Sequence, residues 1–395
     1  MKILIVSQYF WPEDFRVNDI ALGLKESGHE VEILTGIPNY PQGKVFDGFS
    51  IFKKEYKAYK GMRVYRTLML PRRNGSINLA LNYISFMIMA TFRIIPLMFK
   101  KYDRVFVFQI SPITSAIPAI LISKIKRIPS YVYIQDLWPE TFYSIVNISN
   151  LKLRKFMKAF CIKVYNSFSN ILIASEGYRD ILNKDGIEDK KIEYFPQWAE
   201  DFYLNNLCIK DRSNEFIVTF AGNIGKAQNV ETIIKAAELI EKRTLPIIFN
   251  IIGDGSDFVN IKNQVKKLNL KKINLLGRKP SSEMPKYFSE SDGLIVTLND
   301  EEILKVTLPA KVQSYMASGK PILGAISGEG NKIIKESNCG LVVDSKDYEG
   351  LAENIIKLYN MSVHERKILG ENGKEYFNNN FTRKKLLDKL NKIIR

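Results

Sequence analysis

The residues best suited to chemistry are a lysine and two glycines that follow a predicted strand in the second half of the chain. The β-rich run Phe216–Ala221 leads into Gly222-Asn223-Ile224-Gly225-Lys226, and a helical pattern begins from Val230. Glycines let a ligand approach the backbone, and a helix N-terminus offers unpaired N–H groups. The spacing differs from the nucleoside-triphosphatase phosphate loop but suits a diphosphate. The alternative is a tight strand–helix turn with an incidental lysine.

A second lysine lies in the segment Thr307–Pro321. Pro309 and the later Gly319-Lys320-Pro321 predict a short helix ahead of a buried strand. Lys311 would occupy the first turn of that helix, where the helix dipole disfavours a cation. A cation at this position indicates a nearby anion, so we predict that Lys311 binds phosphate.

Two weaker glycine-bearing turns also follow predicted strands. One contains Gly253, in Ile252–Gly255, and the other precedes Arg278, in Leu276–Lys279. Either turn is able to present backbone to a nucleotide, and either is equally able to be only a turn.

In the first half, a carboxylate follows a predicted strand. The run Tyr131–Gln135 ends in Asp136-Leu137-Trp138-Pro139-Glu140. This placement suits a catalytic or acceptor-binding group, and the alternative is that Asp136 caps a helix. Aromatic loops at Ser7–Glu13 and Pro38–Gly43 follow two earlier strands. They suit stacking on a sugar or base, or service as a lid.

Composition excludes several classes of protein. A chain of 395 residues is too long for one ordinary core and predicts two or three domains. Three cysteines without a zinc-like spacing indicate a reducing compartment rather than a disulfide scaffold. Two isolated histidines and the absence of an Asp-x-Asp pair after a strand argue against a metal centre. We therefore expect neither a metal nor another cofactor.

The net charge of +16 indicates an anionic partner. Lys53–Lys101 contains eleven basic residues and one acid, and Leu151–Lys163 contains five basic residues and no acid. The two segments are either solvated basic faces or a docking surface for anionic lipid. Within the first segment, Ile77–Phe99 is the most apolar stretch of the chain. An in-plane helix or a core helix fits it better than a membrane span does.

Short β-rich runs alternate with helical patterns along the chain, which predicts parallel sheets with helical crossovers. The alternation breaks at Glu200–Asn214, which we interpret as a linker. We predict an α/β protein with two Rossmann-like domains, 1–200 and 201–379. The ligand would bind at the carboxyl ends of the strands.

In this order and spacing, the motifs resemble a bacterial glycosyltransferase of the GT-B fold, in the retaining group called family 4. The likeness is greatest to enzymes that add fucose or N-acetyl-fucosamine-type sugars in O-antigen, capsule or colanic acid assembly. It covers essentially the whole chain. The motifs that carry it are Tyr9–Glu13, Gly28–Val31, Pro38–Gly43, Gln135–Glu140, Phe220–Asn229, Ile252–Gly255 and Thr307–Pro321.

The resemblance implies two facing domains with a cleft between them and a C-terminal helix, 380–395, that packs back on the first domain. The acceptor would bind to the first domain and the nucleotide-sugar donor to the second. The resemblance assigns the donor diphosphate to Gly222, Asn223, Gly225, Lys226 and the opposing Lys311. It also assigns Arg278 to the base, Glu329 to the ribose or phosphate, and Asp136 to the reaction centre or the acceptor side.

The chain departs from the family pattern at two places, one in the donor half and one in the first domain. Many members have two glutamates eight positions apart, where this chain has Val306 and Ser314. The common His-Asp pair after the fourth strand of the first domain is Gln135-Asp136 here.

The expected reaction moves a fucosamine-type or other N-acetylated hexose, UDP-linked, onto a polyprenyl-diphosphate-linked saccharide in lipopolysaccharide or capsule biosynthesis. We expect it to be metal-independent and retaining, at the inner face of the cytoplasmic membrane. One alternative is a UDP-sugar epimerase of the same fold, which would want more acids and histidines. Another is a basic nucleic-acid-binding protein, in which the glycine turns would have no role.

Overall fold

The computed structural model describes residues 1–49, 54–73, 75–146, 148, 150–204 and 215–395, which divide into two α/β units. The first unit comprises Met1–Ala174, Tyr178–Phe195 and Leu387–Arg395. The second comprises Ser175–Gly177 and Pro196–Leu386. The predicted architecture of two units, each built on a mainly parallel sheet, is therefore confirmed.

The first unit contains an eight-stranded sheet in the order β3-β4-β2-β1-β5-β6-β7-β8. Every pairing is parallel except the β3–β4 hairpin. The central strands are rich in Ile, Val and Leu because helices cover both faces of the sheet. The strands are β1 (Lys2–Val6), β2 (Glu30–Gly36), β3 (Ala58–Tyr59), β4 (Met62–Thr67), β5 (Arg104–Gln109), β6 (Ser130–Ile134), β7 (Asn170–Ile173) and β8 (Ile192–Tyr194).

Six helices begin in the connections of this sheet. They are α1 (Arg16–Glu26), α2 (Ser76–Leu97), α3 (Ile117–Lys126), α4 (Glu140–Ile145), α5 (Leu151–Asn166) and α6 (Gly177–Lys184). Short 3₁₀ helices cover Lys54–Lys57, Ile113–Ala116 and Asp189–Lys191.

The second unit contains a six-stranded parallel sheet in the order β11-β10-β9-β12-β13-β14. Its strands are β9 (Phe216–Ala221), β10 (Ile247–Ile252), β11 (Ile273–Gly277), β12 (Gly293–Thr297), β13 (Ile322–Ala325) and β14 (Gly340–Val343). Two hydrophobic clusters, one on each side of the sheet, form its core.

The helices of the second unit alternate with its strands and then continue to the C-terminus. They are α7 (Glu231–Lys242), α8 (Phe258–Lys267), α9 (Met284–Glu290), α10 (Glu302–Lys305), α11 (Ala310–Ser318), α12 (Glu329–Glu336), α13 (Tyr348–Asn360), α14 (Val363–Asn380) and α15 (Arg383–Ile394). Further 3₁₀ helices cover Asp201–Leu204, Lys226–Gln228 and Ser281–Glu283.

The sequence pattern missed two parallel strands, β4 and β14. In β4, Tyr65, whose hydroxyl donates to Glu32, and the buried Arg66 interrupt the apolar alternation that would predict a strand. In β14, only four residues pair with β13, and all four are half-buried. Sheet edges of this kind carry a weak hydrophobic signal.

The units change over at Pro196 rather than at the predicted residue 201, because Ala199 and Tyr203 pack into the second hydrophobic core. Most of the predicted linker, residues 205–214, lies outside the described residues. The chain returns to the first unit at Leu387 rather than at 380, since Phe377 and Phe381 also belong to the second core.

The end of α15 is fixed to the first sheet by long-range hydrogen bonds. The Arg104 guanidinium donates to the Ile394 carbonyl over 2.8 Å, and Lys389 donates to the Tyr194 carbonyl over 2.7 Å. His29 and Asn391 lie 2.9 Å apart and add a polar contact with the α1–β2 turn.

Among the described residues, one helix has the length and composition of a membrane span. Ile77–Leu97 covers 21 residues with a mean hydropathy of 1.5, although 28% of its most apolar window is buried in the fold. This helix is α2, which packs against β2, β4 and α3.

The predicted basic segment Lys53–Lys101 does not form one surface. Lys53 lies outside the described residues. Arg66 is buried and donates to the carbonyls of Tyr56, Gly36 and Trp11, while Lys100 pairs with Glu32. The tertiary fold therefore uses several of these cations internally.

Candidate functional site

The second sheet has a topological switch point between β9 and β12. Its strand order runs outward from this pair in both directions. Loops that leave the carboxyl ends of two such strands diverge and leave a crevice, which is where α/β sheets bind ligands. The Gly222 turn follows β9, and the chain after β12 leads to α11, so the two predicted lysine motifs meet here.

The glycine turns after β9 and β10 touch each other through backbone. The Gly222 N–H donates to the Ile252 carbonyl over 2.9 Å, and the Ile224 N–H donates to the Asp254 carbonyl over 2.9 Å. A Cβ at Gly253, where φ is +146°, would lie 1.8 Å from the Gly222 carbonyl oxygen. Glycine is therefore required at residue 253 by close packing as well as by backbone conformation.

Lys311 reaches this turn from the first helical turn of α11. Its Nζ is buried and has no hydrogen-bond partner among the described residues, and it lies 3.9 Å from the Phe220 ring centroid. A Cβ at Gly222 would lie 2.9 Å from this Nζ. Burial lowers the pKa of Lys311 to about 7 from an ordinary value of 10.5. A buried cation that lacks a counterion is costly, so this group is suited to receive an anion.

Tyr315 holds α11 against the end of β9. Its buried hydroxyl accepts a hydrogen bond from the Ala221 N–H over 3.0 Å and donates to the Ala221 carbonyl over 3.2 Å. Since Tyr315 lies one turn after Lys311 on the same helix, this contact fixes the position of the lysine relative to the glycine turn. The sequence pattern gave no reason to single out Tyr315.

Two other predicted donor-side residues, Lys226 and Asn223, lie in the turn after β9. Lys226 is exposed and begins a 3₁₀ turn, and the Asn223 amide donates to Gln228 over 3.1 Å. That turn separates the glycines from α7, whose first turn contains Glu231 paired with Lys235 at 2.7 Å. Helix α7 begins one residue after the predicted start at Val230, and the turn before it offers backbone and the Lys226 charge.

Arg278 and Glu329 lie at the same carboxyl edge of the sheet. Arg278 is exposed directly after β11, and Glu329 opens α12 after β13. Gly328 precedes it with φ +70°, and a Cβ there would lie 1.9 Å from the Lys305 carbonyl oxygen. At the positions of the missing glutamates, Val306 ends α10, and the Ser314 hydroxyl faces its own helix at 3.4 Å from the Ala310 carbonyl.

The first unit has its own switch point between β1 and β5, and Asp136 follows the next strand, β6. The Ser111 hydroxyl, which follows β5, donates to Asp136 Oδ2 over 2.8 Å, and the Trp138 indole donates to Ser111 over 3.1 Å. Helix α4 begins only at Glu140, so Asp136 is not its N-cap. Burial raises the pKa of Asp136, while Ser111 and the charge of Arg72 oppose that shift.

Sequence reasoning missed Arg72 and Tyr83, which complete the surroundings of Asp136. The Arg72 guanidinium lies 5.3 Å from the centroid of Tyr40, and it hydrogen-bonds with the Tyr9 side chain. The charge of Asp136 contributes to a raised pKa of the buried Tyr83 phenol, although burial is the main cause. The predicted aromatic loops thus supply Tyr9 and Tyr40 to this cluster.

Glu13 connects the two aromatic loops by hydrogen bonds to their backbone N–H groups. Its buried carboxylate accepts the N–H groups of Asn39 and Tyr40, each over 2.8 Å, and of Phe10 over 3.3 Å. Burial raises the pKa of Glu13 to about 7 against the opposing effect of these donors. Glu13 therefore has a structural role inside the protein and is not an acid that faces the substrate.

Across the described residues, no group of three or more His, Cys, Asp or Glu side chains is arranged to hold a metal ion. The nearest acidic run, 300–302, is engaged with Lys305, which lies 3.2 Å from Asp300 and 2.9 Å from Glu302.

Comparison with known proteins places these sites in context. Residues 209–376 match the family described as Glycosyl transferases group 1. The putative colanic acid biosynthesis glycosyl transferase WcaI of Escherichia coli is 24% identical over 81% of this chain and 82% of its own length. The probable glycosyltransferase WbjE of Pseudomonas aeruginosa is 22% identical over 62% of this chain and 64% of its own.

A solved structure of Anabaena HepE in complex with UDP and glucose aligns with 100% of this chain and 99% of its own length, with a TM-score of 0.72 and 15% identity. At this identity, the likeness establishes the fold. The two parallel-sheet units and these similarities together show that the chain is a glycosyltransferase with the GT-B fold, and its residues 209–376 match the group 1 family of these enzymes.

Proposed function

We propose that this enzyme transfers a sugar from a UDP-linked donor bound in the second unit to a lipid-linked saccharide acceptor bound in the first. The observation that carries the proposal is the Lys311 ammonium, buried without a hydrogen-bond partner among the described residues, beside Gly222 at the switch point. A nucleotide-sugar supplies the missing counterion as its diphosphate.

The chemistry follows from where negative charge grows. The bond between the anomeric carbon and the diphosphate oxygen breaks, and a bond forms between that carbon and an acceptor hydroxyl oxygen. Lys311 and Lys226 stabilise the leaving diphosphate, aided by the backbone around Gly222 and Gly225. A fixed group of this kind typically contributes about 3–4 kcal/mol to transition-state stabilisation. No metal is needed in this scheme, since the cations are side chains.

The remaining donor contacts are assigned by their positions at the strand ends. Asn223 and Gly253 border the diphosphate, Arg278 approaches the base, and Glu329 approaches the ribose or phosphate. We propose that Glu329, at the start of α12, takes over part of the role of the glutamates that Val306 and Ser314 replace.

Asp136 is proposed to act on the acceptor side. Its carboxylate, oriented by Ser111, accepts a hydrogen bond from the attacking hydroxyl, and the proton passes to the leaving diphosphate oxygen on the same face of the sugar. This arrangement corresponds to a retaining, family 4 type of reaction. Arg72 lies where it would neutralise an anionic part of the acceptor.

The likeness to WcaI, a putative colanic acid biosynthesis glycosyl transferase, supports a role in surface polysaccharide assembly, and the UDP complex of HepE supports a UDP-linked donor. We propose that the polysaccharide is of the colanic acid, capsule, O-antigen or lipopolysaccharide kind. We propose an N-acetylated, fucosamine-type hexose as the sugar and a polyprenyl-diphosphate-linked saccharide as the acceptor. The enzyme would then work as a peripheral protein on the inner face of the cytoplasmic membrane. The exposed cations of the two basic segments, such as Arg93, Lys152 and Lys155, would face its anionic lipids.

The test is a transfer assay with a panel of UDP-, GDP- and dTDP-sugars and membrane-extracted lipid acceptor. Transfer from a UDP-sugar that is lost in Lys226→Ala, with folding intact, supports the proposal. Full turnover by Lys226→Ala contradicts the donor-site assignment. Conversion of the donor into an isomeric UDP-sugar without acceptor would instead favour an epimerase.

A further inference from the structure

Three helices of the first unit lie on one face of its sheet. Helices α2, α3 and α5 connect β4 to β5, β5 to β6 and β6 to β7, and all three connections move toward the same edge. Connections between parallel strands are right-handed in almost all proteins, so these helices form one layer. The connection from β1 to β2 moves the other way, which puts α1 on the opposite face.

Helix α2 has two apolar faces with different environments. One face, which includes Phe86, Ala90 and Ile94, is buried on the sheet and on α3. The other face repeats every three or four residues and is exposed, from Ile77 (78% exposed) to Phe99 just past the helix (89%). The members of this exposed stripe are Ile77, Leu81, Ile84, Ile88, Phe92, Ile95 and Phe99. A water-facing helix surface normally carries polar residues at such positions.

The neighbouring helices extend the exposed apolar surface. Leu121 and Ile125 are exposed on α3, and Leu151, Leu153 and Phe156 are exposed on α5. Exposed apolar residues on three helices of one layer exceed the scattered apolar residues of an ordinary surface, and they indicate an interaction site.

The charge of this layer identifies the partner. The sequences of α2, α3 and α5 contain no Asp or Glu. Exposed cations lie on all three, at Arg93, Lys124, Lys152, Arg154 and Lys155. A second copy of this face would bring like charges together, whereas an anionic bilayer matches both the apolar stripe and the cations.

The packing of α2 favours an in-plane position over a membrane span. Asn82 on its buried face accepts a hydrogen bond from the Gln8 side chain over 2.8 Å and donates to the Leu70 carbonyl over 2.5 Å. A spanning helix would have to leave these partners and expose the apolar face of β2 and β4. The neighbouring Tyr83 belongs to the Asp136 cluster, so α2 joins the exposed stripe to the acceptor-side site.

We infer that the outer faces of α2, α3 and α5 form a docking surface that seats in one leaflet of an anionic lipid bilayer, with α2 lying in the membrane plane. This inference deepens the proposed peripheral location and stands on the exposed surface rather than on the sugar chemistry.

The first test compares vesicle binding of the full chain and its variants by sedimentation. The vesicles consist of phosphatidylcholine alone or with phosphatidylglycerol. Ile84→Glu/Ile88→Glu should weaken binding to anionic vesicles by about tenfold or more, because it removes apolar insertion and adds repulsion. The matched control, Val259→Glu/Ile368→Glu, changes exposed apolar residues of the second unit and should bind as the parent does.

Charge is tested separately with Lys152→Gln/Lys155→Gln. This variant should lose affinity for anionic vesicles and keep its weak affinity for phosphatidylcholine, and the difference should shrink in high salt. Unchanged binding of the Ile84→Glu/Ile88→Glu variant would overturn the docking surface. So would a change in oligomeric state without a change in vesicle binding, which would assign the face to another copy.

Depth is tested with Phe92→Trp and brominated lipids, with Ile368→Trp as control. Extra fluorescence quenching by bromines near the glycerol level supports an in-plane helix, and stronger quenching from the bilayer centre contradicts it. UDP binding and transfer to a water-soluble acceptor are measured on the same variants. Loss of vesicle binding with UDP binding intact separates the docking surface from the donor site. If the parent chain neither binds UDP nor transfers sugar, the proposed function fails while the docking result stands.

Discussion

The two units are built on similar parallel sheets, but their outer surfaces and their candidate sites differ in chemical character. In the first unit, the solvent-exposed residues of α2, α3 and α5 are largely apolar and basic. In the second, α7 and α14 balance their charges through pairs one turn apart, such as Glu231–Lys235 and Lys367–Glu371. The exposed large apolar residues described there are scattered, at Val259, Leu268, Val363 and Ile368.

The candidate sites of the two units also differ, in the charge of the group that each one buries. The first unit keeps a buried carboxyl, Asp136, among hydroxyl and aromatic groups, and the second keeps a buried ammonium, Lys311, beside a glycine turn. Under the proposed function, one fold type provides a unit for a hydroxyl-bearing acceptor at a lipid surface and a unit for a soluble anion. The difference lies in loops and outer helices rather than in the sheets.

The largest effect is expected from Lys311→Met. Transfer should fall by about 10²–10³-fold, since one fixed cation at the leaving group contributes about 3–4 kcal/mol. UDP affinity should fall as well, as measured by calorimetry. Lys335→Met, at an exposed lysine of α12, serves as the control and should behave as the parent does. Normal turnover by Lys311→Met would contradict the role of a buried cation in the second unit, and with it the proposed contrast with the Asp136 site.

The two faces of α2 are expected to differ in folding energetics. Phe86→Ala should lower the free energy of unfolding by about 3–5 kcal/mol, because its ring is fully buried. Ile88→Ala, on the exposed face, should change it by about 0.5 kcal/mol or less. Denaturant unfolding in the absence of lipid measures both changes. Equal losses of unfolding free energy would show that the outer face of α2 is also buried in the lipid-free protein.

Asp136→Asn should lower transfer by about 10²-fold and leave UDP affinity unchanged, because the two groups belong to different units. Ser111→Ala should lower transfer less, since it removes only the hydrogen bond that orients the carboxyl. Steady-state kinetics with acceptor varied, together with UDP titration, separate the two effects. A loss of UDP affinity in Asp136→Asn would contradict the division of roles.

The smallest effect concerns protons. With a pKa of about 7, Lys311 is mostly neutral at about pH 8, and a bound diphosphate should recharge it. UDP binding at that pH should take up nearly one proton, and binding at about pH 6 should take up almost none. Calorimetry in buffers of different ionisation enthalpy measures the uptake. Lys311→Met should show none, and equal uptake by both proteins would exclude Lys311 as the source.

The same group affects stability with a defined sign. The folded pKa of Lys311 lies below its ordinary value of 10.5, so the unfolded chain binds more protons between these limits. The free energy of unfolding of the parent chain should therefore rise, relative to Lys311→Met, as pH increases from about 7 toward 10. A constant difference across this range would mean that Lys311 is not desolvated.

Local patterns predicted the elements well where apolar runs are long. The strand Phe216–Ala221 and the turn Gly222–Lys226 were recognisable because buried parallel strands are continuous apolar runs and the following glycines break them. The strand at Met62–Thr67 was not, because its buried cation Arg66 finds partners from distant segments. No local pattern reports such partners.

By itself, the sequence determined two α/β units with parallel sheets, the presence of cations at the glycine turn and in α11, and a carboxylate after β6. It could not determine which charges lie inside the fold, because burial depends on contacts between distant segments. Only the tertiary structure turned Arg66 and Lys100 inward, joined Arg72 and Tyr83 to Asp136, and buried the Lys311 ammonium beside Gly222. It also decided which face of α2 is covered, since both faces are apolar and the sheet can cover only one.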